Sequence, residues 1–273
     1  LSQLRKLLVV AGLAVGTFAV GVPVAGAQIL TPPATYSLAS SSQFTEPGQL
    51  DRDTCTGFAM VAAIEARYRR QWGRTLNLSE QYYWHVYKST GVDQPRIYQY
   101  ENQSSYWGGG SIHGLEAART YAIPLETEAP YLTQVAMDRI KASIPAAGQL
   151  AWNGDPALNT VTQDQIDAFE YSPGYIPTAA RQNARYGVSK YTNHPRATAN
   201  DTGALERLIA SNREVLVGLQ LNWRWNDDRT VRVYDASADE GAHAFLLIGY
   251  DRKAQTFLVK NSWGEKAPIL VSY

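Results

Sequence analysis

The spacing of apolar residues predicts helices in the first half of the chain. In residues 55–73, CTGFAMVAAIEARYRRQWG, apolar side chains recur at helical spacing, arginines cluster near the end and Gly73 provides a stop. A second helix is predicted in LNLSEQYYWHVYK, where Asn77 followed by Glu80 resembles a capping box. A third is predicted over residues 112–122, before a proline. The polar segments before and between these helices are predicted to be extended chain and loop: 28–48 and 92–111.

Beyond Tyr186 the pattern changes to short apolar runs, which predict strands. The predicted elements are strands at 186–192, 214–223, 243–251 and 256–263, and a helix capped by Asp201 at 201–212. The last two strands are expected to form a hairpin whose turn is centred between Arg252 and Lys253. Residues 132–175 carry the weakest pattern, and we interpret them as two short helices around a loop at 148–156. The chain is therefore predicted to be α+β, with a helical front half and a β-rich rear half.

Residues 1–27 form a segment of a different kind. Arg5 and Lys6 precede a long apolar run that ends in Ala-Gly-Ala, which predicts a signal peptide cleaved before Gln28. The alternative is an uncleaved membrane anchor, because residues 7–27 are nearly long enough to span a bilayer. Both interpretations predict an exported protein, either secreted or in the periplasm or cell envelope. After cleavage we expect no stable membrane association.

Composition makes the single cysteine the most informative residue. The chain has 273 residues, 45% of them hydrophobic, which is enough for a core that needs no covalent staples. Lys+Arg and Asp+Glu both count 25, so net charge gives no indication of a nucleic-acid or anionic-membrane partner. Exported proteins usually pair their cysteines in disulfides, and Cys55 has no partner. It is a buried inert side chain, a link to another chain or a thiol kept for chemistry.

Cys55 lies at the predicted start of the first helix, where unpaired N–H groups and the helix dipole stabilise a thiolate. A cysteine nucleophile also needs an imidazole partner. Three of the four histidines are interpreted as core or loop residues: His85, His113 and His194. His243 opens an apolar strand, and the expected hairpin puts Asn261 or Ser262 opposite it, where either side chain can orient the ring. Hairpins also pair His with Asn without catalysis, so this spacing alone leaves the choice open.

Several segments resemble, in order along the chain, the motifs of the papain-like cysteine peptidases. CTGFAMVAAIE resembles the active-site helix of that family, AHAFLLIGYD its histidine strand, and KNSWG its asparagine and tryptophan motif. The other matches in family order are Gln49, LSEQ at 78–81, the Gly109-Gly110 pair and EAPY at 128–131. The matches extend from residue 49 to residue 264, so the resemblance covers most of the chain.

The resemblance implies a two-lobe papain-like fold and a cysteine-type peptidase that forms a thioester acyl-enzyme. Cys55 matches the nucleophile, and Gln49 matches the side chain that stabilises the oxyanion together with the backbone N–H of the cysteine. His243 matches the histidine that carries the proton to the leaving amine. Asn261 matches the residue that fixes which ring nitrogen faces the sulfur.

The resemblance also implies how a substrate is held. Gly109 and Gly110 match the residues whose backbone pairs with an extended peptide, and Trp263 matches the indole that borders the site and shields the His–Asn pair. The implied substrate is a peptide or protein. The family resemblance implies a monomer that needs neither a cofactor nor a metal.

Three features depart from the family pattern. Thr56 stands where a tryptophan usually follows the nucleophile, which we expect to reshape the site without removing its chemistry. Arg52 replaces the usual cysteine three places before the nucleophile, so no disulfide braces the loop that carries Gln49. Residues 132–175 are longer than the family needs and are interpreted as a lid, a subsite wall or a partner surface.

The expected organisation is a signal peptide at 1–27 and one peptidase domain at 28–273. The domain is divided into a helical lobe at about 50–131, an insertion at about 132–175 and a β-rich lobe at about 176–273. Cleavage after residue 27 predicts that no N-terminal prodomain is present, and the short segment after Gly264 suggests an incomplete C-terminus. Two alternatives to peptide hydrolysis remain at this stage. They are an acyltransferase or amidase with the same thioester, and a non-catalytic binding protein of the same fold.

Overall fold

The computed structural model describes residues 31–42, 48–49, 54–89, 111–131, 149–150, 161–162, 178–195, 198, 200–238 and 241–273. Predictions for the signal segment at 1–27, for Arg52, for Gly109 and Gly110, and for most of 132–175 lie outside the described residues. Among the helices that are described, none has the length and apolar character needed to cross a membrane.

The described part of the chain contains two short 3-10 helices, Ala39–Ser41 and Glu126–Glu128, and five α-helices: α1 Cys55–Trp72, α2 Glu80–Ser89, α3 Ser111–Thr120, α4 Thr178–Asn183 and α5 Thr202–Ala210. The strands in the same part are β1 Thr35–Ser37, β2 Gln149–Leu150, β3 Val161–Thr162, β4 Val215–Gln220, β5 Trp223–Trp225, β6 Val231–Tyr234, β7 Ala242–Asp251, β8 Thr256–Lys260 and β9 Ile269–Ser272. Helical and β-rich regions therefore follow one another along the chain, as the apolar pattern predicts.

The helical region is built around α1, which is buried along most of its length. Met60 and Ile64 of α1 pack in one apolar core with α2 and α3, whereas Ala62 belongs to a second core formed with the sheet. Gly73 ends α1 with φ of 64°, the left-handed conformation that favours glycine at this position. Because α1 contributes to both cores, it fixes the position of its first residue relative to both regions.

The start of α2 differs from the prediction. The side chain that caps the helix is Ser79, whose Oγ accepts a hydrogen bond from the backbone N–H of Tyr82 at 2.8 Å. Asn77 instead accepts a backbone hydrogen bond from Glu126 through its carbonyl. The predicted cap at Asn77 is therefore wrong by two residues, because the backbone of residue 77 is used in a tertiary contact.

The β-rich region is a seven-stranded sheet in the order β1-β7-β8-β9-β6-β5, with β4 also paired to β7. All of its pairs are antiparallel except β6 with β9. Helix α5 packs on β7, β4 and β1, and Asp201 caps it by accepting from the N–H of Ala204, as predicted. Strand β7 is central, because it contacts α1 and α5 as well as three strands.

Two predicted elements are wrong. Residues 186–192 do not form a strand: Tyr186 makes a single bridge to Ile123 and packs against Tyr68 in the helical core. Its backbone is satisfied by that bridge, so no strand partner is needed. Gln149–Leu150, predicted as loop, is a short strand whose backbone pairs with that of Val161–Thr162.

The hairpin of β7 and β8 forms as expected but in a different register. Asp251 pairs with Thr256, so the turn has four residues and its centre lies one residue later than predicted. The register also shifts between Leu247 and Gly249, and the ladder ends at the pair Leu246 and Lys260. His243 therefore has no ladder partner on β8, and on β4 it pairs with Leu219.

Candidate active site

Cys55 is the first residue of α1 and faces the sheet. Its side chain is 8% exposed and packs with Ala59 and with Ala244, the residue that follows His243 in β7. The first turn of α1 contains no acidic residue. The partial positive charge of the helix start therefore acts on the sulfur without competition from a nearby carboxylate of that turn.

His243 and Asn261 are joined by a short hydrogen bond. The imidazole Nε2 lies 2.6 Å from Asn261 Oδ1, and both residues are buried. Because an amide oxygen only accepts, Nε2 carries the proton in this pair and Nδ1 is the nitrogen that can exchange a proton with another group. The bond forms at the end of the β7–β8 ladder, where Asn261 directly follows β8.

Trp263 covers the His–Asn pair from the solvent side. Its ring centroid lies 4.7 Å from that of His243, with the planes tilted by 30°, and the indole is 40% exposed. Trp223 meets the same indole edge-on at 6.1 Å, and the Arg232 guanidinium lies over both rings. The indole therefore packs against the imidazole while part of its own surface stays exposed.

Glu265 completes this network and is a residue that the sequence analysis missed. Its Oε1 accepts from Asn261 Nδ2 at 2.8 Å, and its Oε2 accepts from the backbone N–H of Trp263 at 3.0 Å. The carboxylate therefore fixes the amide orientation of Asn261 and the backbone that presents the indole. The one available signal was an acidic residue close behind the KNSWG motif.

Gln49 is held by Ser262 at two points. Its backbone N–H donates to the Ser262 carbonyl at 2.7 Å, and its Oε1 accepts from Ser262 Oγ at 2.6 Å. Since the oxygen end of the amide is engaged, its NH₂ end is directed away from Ser262. Gly48 permits this approach, because it has φ of 90° and a Cβ at this position would lie 2.6 Å from the nitrogen of Gly264.

Tyr131 is a second residue that the sequence analysis missed. Its hydroxyl donates to the backbone carbonyl of Gln49 at 2.8 Å and lies 2.6 Å from Thr54 Oγ1. The ring packs edge-on against Phe58 of α1 with 4.8 Å between centroids. The EAPY segment was noticed only as a match in family order, and nothing in its sequence indicates these contacts.

The structure brings four of the predicted residues to one place: Gln49, Asn261 and Trp263 around the Ser262 backbone, with His243 bonded to Asn261. Cys55 packs against Ala244, the residue next to His243 in β7, and so lies close to the same place. Of the other histidines, His85 is buried in α2 and His194 is exposed. Within the described ranges, no three acidic, histidine or cysteine side chains are grouped so as to hold a metal ion.

A cysteine at the start of a buried helix, packed on the strand that carries a His–Asn pair, is the arrangement expected of a papain-like fold. The comparison with protein families agrees, since the model of the papain family cysteine proteases matches residues 48–267. The chain therefore belongs to the papain family, and the protein is a cysteine-type peptidase. No curated protein sequence matches the chain.

Solved structures of several cysteine proteases share the fold. Xylellain from Xylella fastidiosa is 18% identical with a TM-score of 0.59, and the match covers 90% of this chain and 81% of that one. The Carica candamarcensis protease CMS1MS2, in complex with E-64, is 19% identical with a TM-score of 0.51 and 88% of each chain covered. The proform of the ragweed pollen protease Amb a 11 is 18% identical with a TM-score of 0.54. That match covers 91% of this chain and 62% of the pollen protein. At these identities the likeness shows the two-lobe α+β fold.

Proposed function

We propose that the protein hydrolyses peptide bonds with Cys55 as nucleophile, His243 as acid and base, Asn261 as the orienting residue and Gln49 as an oxyanion donor. The observation that carries this assignment is the hydrogen bond between His243 Nε2 and Asn261 Oδ1. It leaves Nδ1 for proton exchange, and the next residue of the same strand packs against Cys55.

The reaction has two steps. The Cys55 thiolate attacks the peptide carbonyl carbon, and the backbone N–H of Cys55 and the Gln49 amide stabilise the oxyanion. The C–N bond breaks as His243 gives its Nδ1 proton to the leaving amine, which leaves a thioester. A water molecule then attacks the thioester while Nδ1 accepts its proton, and the bond between sulfur and carbon breaks to release the acid.

We further propose that Gly109 and Gly110 pair with the substrate backbone and that Trp263 borders the site, on the strength of the sequence resemblance. The exposed fraction of Trp263, beside the buried His243, supports contact with a bound peptide. The proposed substrate is a peptide or protein chain in extended conformation. We also propose that the protein is secreted or located in the cell envelope, and that it acts as a monomer without a cofactor. Its proposed organisation is a signal peptide at 1–27 and a peptidase domain at 28–273, which has two lobes and the insertion at 132–175.

The test uses a mixed peptide library and mass spectrometry of the products. The wild-type protein is expected to cleave peptides, and a single equivalent of E-64 is expected to stop cleavage and to be found on Cys55. Cys55→Ala is expected to lose all turnover while keeping its fold by circular dichroism. Turnover that persists in Cys55→Ala would refute the assignment.

Added amines separate hydrolysis from the neighbouring reactions. If the products carry the amine in place of water, the thioester is passed to an acceptor and the protein is a transferase. If only non-peptide amides are cleaved, it is an amidase. Binding of peptides without any cleavage would identify a non-catalytic binding protein of the same fold.

A further inference from the structure

We propose that Tyr131 is a positioning residue of the oxyanion hole, because its hydroxyl sets the spacing between Gln49 and the start of α1. This inference rests on the proposed function, in which the Gln49 amide and the Cys55 backbone N–H share the oxyanion. The contacts of Tyr131 that carry this inference are with Gln49 and Thr54, which lie beside the reacting groups. Its role is to hold the two donors relative to each other.

The hydrogen bonds around the hydroxyl have one consistent direction. A tyrosine hydroxyl has a single proton, and Tyr131 gives it to the Gln49 carbonyl at 2.8 Å. The contact of 2.6 Å with Thr54 must therefore be donated by Thr54 Oγ1. The resulting chain runs from Thr54 through Tyr131 to Gln49. Thr54 directly precedes Cys55, so this chain connects the two ends of the oxyanion hole.

Tyr131 is itself fixed independently of Gln49. Its ring is 4% exposed and packs edge-on against Phe58. Its backbone N–H donates to Glu126 Oε1 at 2.6 Å, and the preceding segment is bonded to Ser79 through the carbonyl of Ala129. The hydroxyl therefore acts as a fixed reference point for Gln49, rather than following its movement.

Two other bonds of Gln49 come from the side of the sheet. Ser262, beyond β8, holds its backbone N–H and its Oε1. Tyr131 supplies the bond from the helical side, next to the residue that bears the nucleophile. No disulfide braces this part of the chain, since Cys55 is the only cysteine. Without the hydroxyl, Gln49 would keep its position relative to Ser262 but would be less well fixed relative to Cys55.

The decisive variant is Tyr131→Phe, which deletes the hydroxyl and keeps the ring. Because the oxyanion forms only during acyl transfer, we expect kcat/KM for a peptide to fall about 10- to 100-fold, mostly through kcat. Alkylation of Cys55 by iodoacetamide forms no oxyanion, so its rate is expected to stay within about twofold of the wild-type rate. A residue with a purely structural role would change both rates together.

Three more variants test the inference further. The effect of Tyr131→Phe is expected to disappear in a Gln49→Ala background, because the hydroxyl acts through Gln49. Tyr250→Phe is the matched control, since Tyr250 is also buried and its hydroxyl also donates to a backbone carbonyl, that of Pro33. It is expected to leave both rates unchanged. If Tyr131→Phe does not fold, Thr54→Val interrupts the same chain from its other end and is expected to lower kcat severalfold.

The outcomes separate this inference from the proposed function. If Gln49→Ala is impaired and Tyr131→Phe turns over peptide like the wild type, the inference is overturned and the peptidase assignment stands. An equal loss of turnover from Tyr131→Phe in the wild-type and Gln49→Ala backgrounds also overturns it. If Cys55→Ala keeps its turnover, the proposed function itself fails.

Discussion

His243 lies in a ten-residue strand that pairs with three other strands, whereas Gln49 lies outside any helix or strand, where hydrogen bonds with Ser262 and Tyr131 help to hold it. The strand distributes the task of positioning over many backbone bonds, so the loss of one side-chain contact moves the imidazole little. Gln49 is held in part by a few contacts with residues far away in the chain, two bonds with Ser262 and one with Tyr131. We therefore expect its side of the site to be more sensitive to small changes in its supporting residues.

The largest expected effect is on the imidazole itself. His243→Ala removes the proton carrier of both steps, and we expect kcat to fall about 10³-fold or more. The sheet around it should remain intact, because His243 is the second residue of β7 and lies near the end of the strand. Peptide turnover measured beside thermal unfolding checks this. Activity within tenfold of the wild type would show that another group moves the proton.

The backbone that supports Gln49 gives the next largest effect. Gly48→Ala places a Cβ 2.6 Å from Gly264 N at a positive φ, and we expect about 2–3 kcal/mol of destabilisation. Gly73→Ala is the matched control, since Gly73 also has a positive φ but nothing lies within 4 Å of its Cβ position. It should cost only about 1 kcal/mol. Denaturant unfolding of both variants measures the difference, and equal losses would show that crowding by Gly264 is unimportant.

Asn261→Ala and Ser262→Ala each remove one side chain, the first from the support of His243 and the second from the support of Gln49. Asn261→Ala removes the acceptor for His243 Nε2, and we expect kcat to fall about 10-fold or more because the ring is less well oriented. Ser262→Ala removes the bond to Gln49 Oε1 and should lower kcat severalfold. Iodoacetamide should detect only the first change, since alkylation needs no oxyanion. A loss of alkylation in Ser262→Ala would place Ser262 on the imidazole side.

The smallest expected effect is a shift in pH dependence. Glu265 is an anion two hydrogen bonds away from the imidazole, so it stabilises the positively charged ring. In Glu265→Gln we expect the alkaline limb of the kcat/KM profile to move to lower pH, because the imidazolium loses a nearby negative charge. Two cations close to the network partly oppose the carboxylate: Arg232 over Trp263, and Lys260 beside Asn261. An unchanged alkaline limb would limit Glu265 to a steric role.

The helices and strands that form the site could be predicted from the sequence better than the register between strands β7 and β8. The helix that begins at Cys55 follows from its apolar spacing, because α1 is long and is buried by both cores. The contact between His243 and Asn261 was expected from a turn centred between Arg252 and Lys253, but the turn is centred one residue later and the register shifts between Leu247 and Gly249. The positions of the strands could therefore be predicted from the apolar pattern. The turn and the irregularity depend on local backbone conformation, which this pattern does not determine.

The contacts that Tyr131 and Ser262 make with Gln49 could not be predicted from the sequence, for a different reason. Tyr131 lies 82 residues from Gln49, and Ser262 lies 213 residues from it, so neither contact leaves a periodic signal in the sequence. The strand predicted at Tyr186 is absent because this residue makes a single bridge to Ile123 and its ring packs against Tyr68 in the helical core. Tertiary packing decides such positions.

The central claim is that the thiol of Cys55 is activated by its place at the start of α1 beside His243. Its most direct test is the rate of alkylation of Cys55 by iodoacetamide at neutral pH, measured in the folded protein and in the unfolded chain, with loss of peptide turnover followed in parallel. The account predicts that the folded protein reacts at least about tenfold faster and that turnover disappears in proportion to the label on Cys55. Equal rates in the two states, or full turnover after complete labelling, would contradict it.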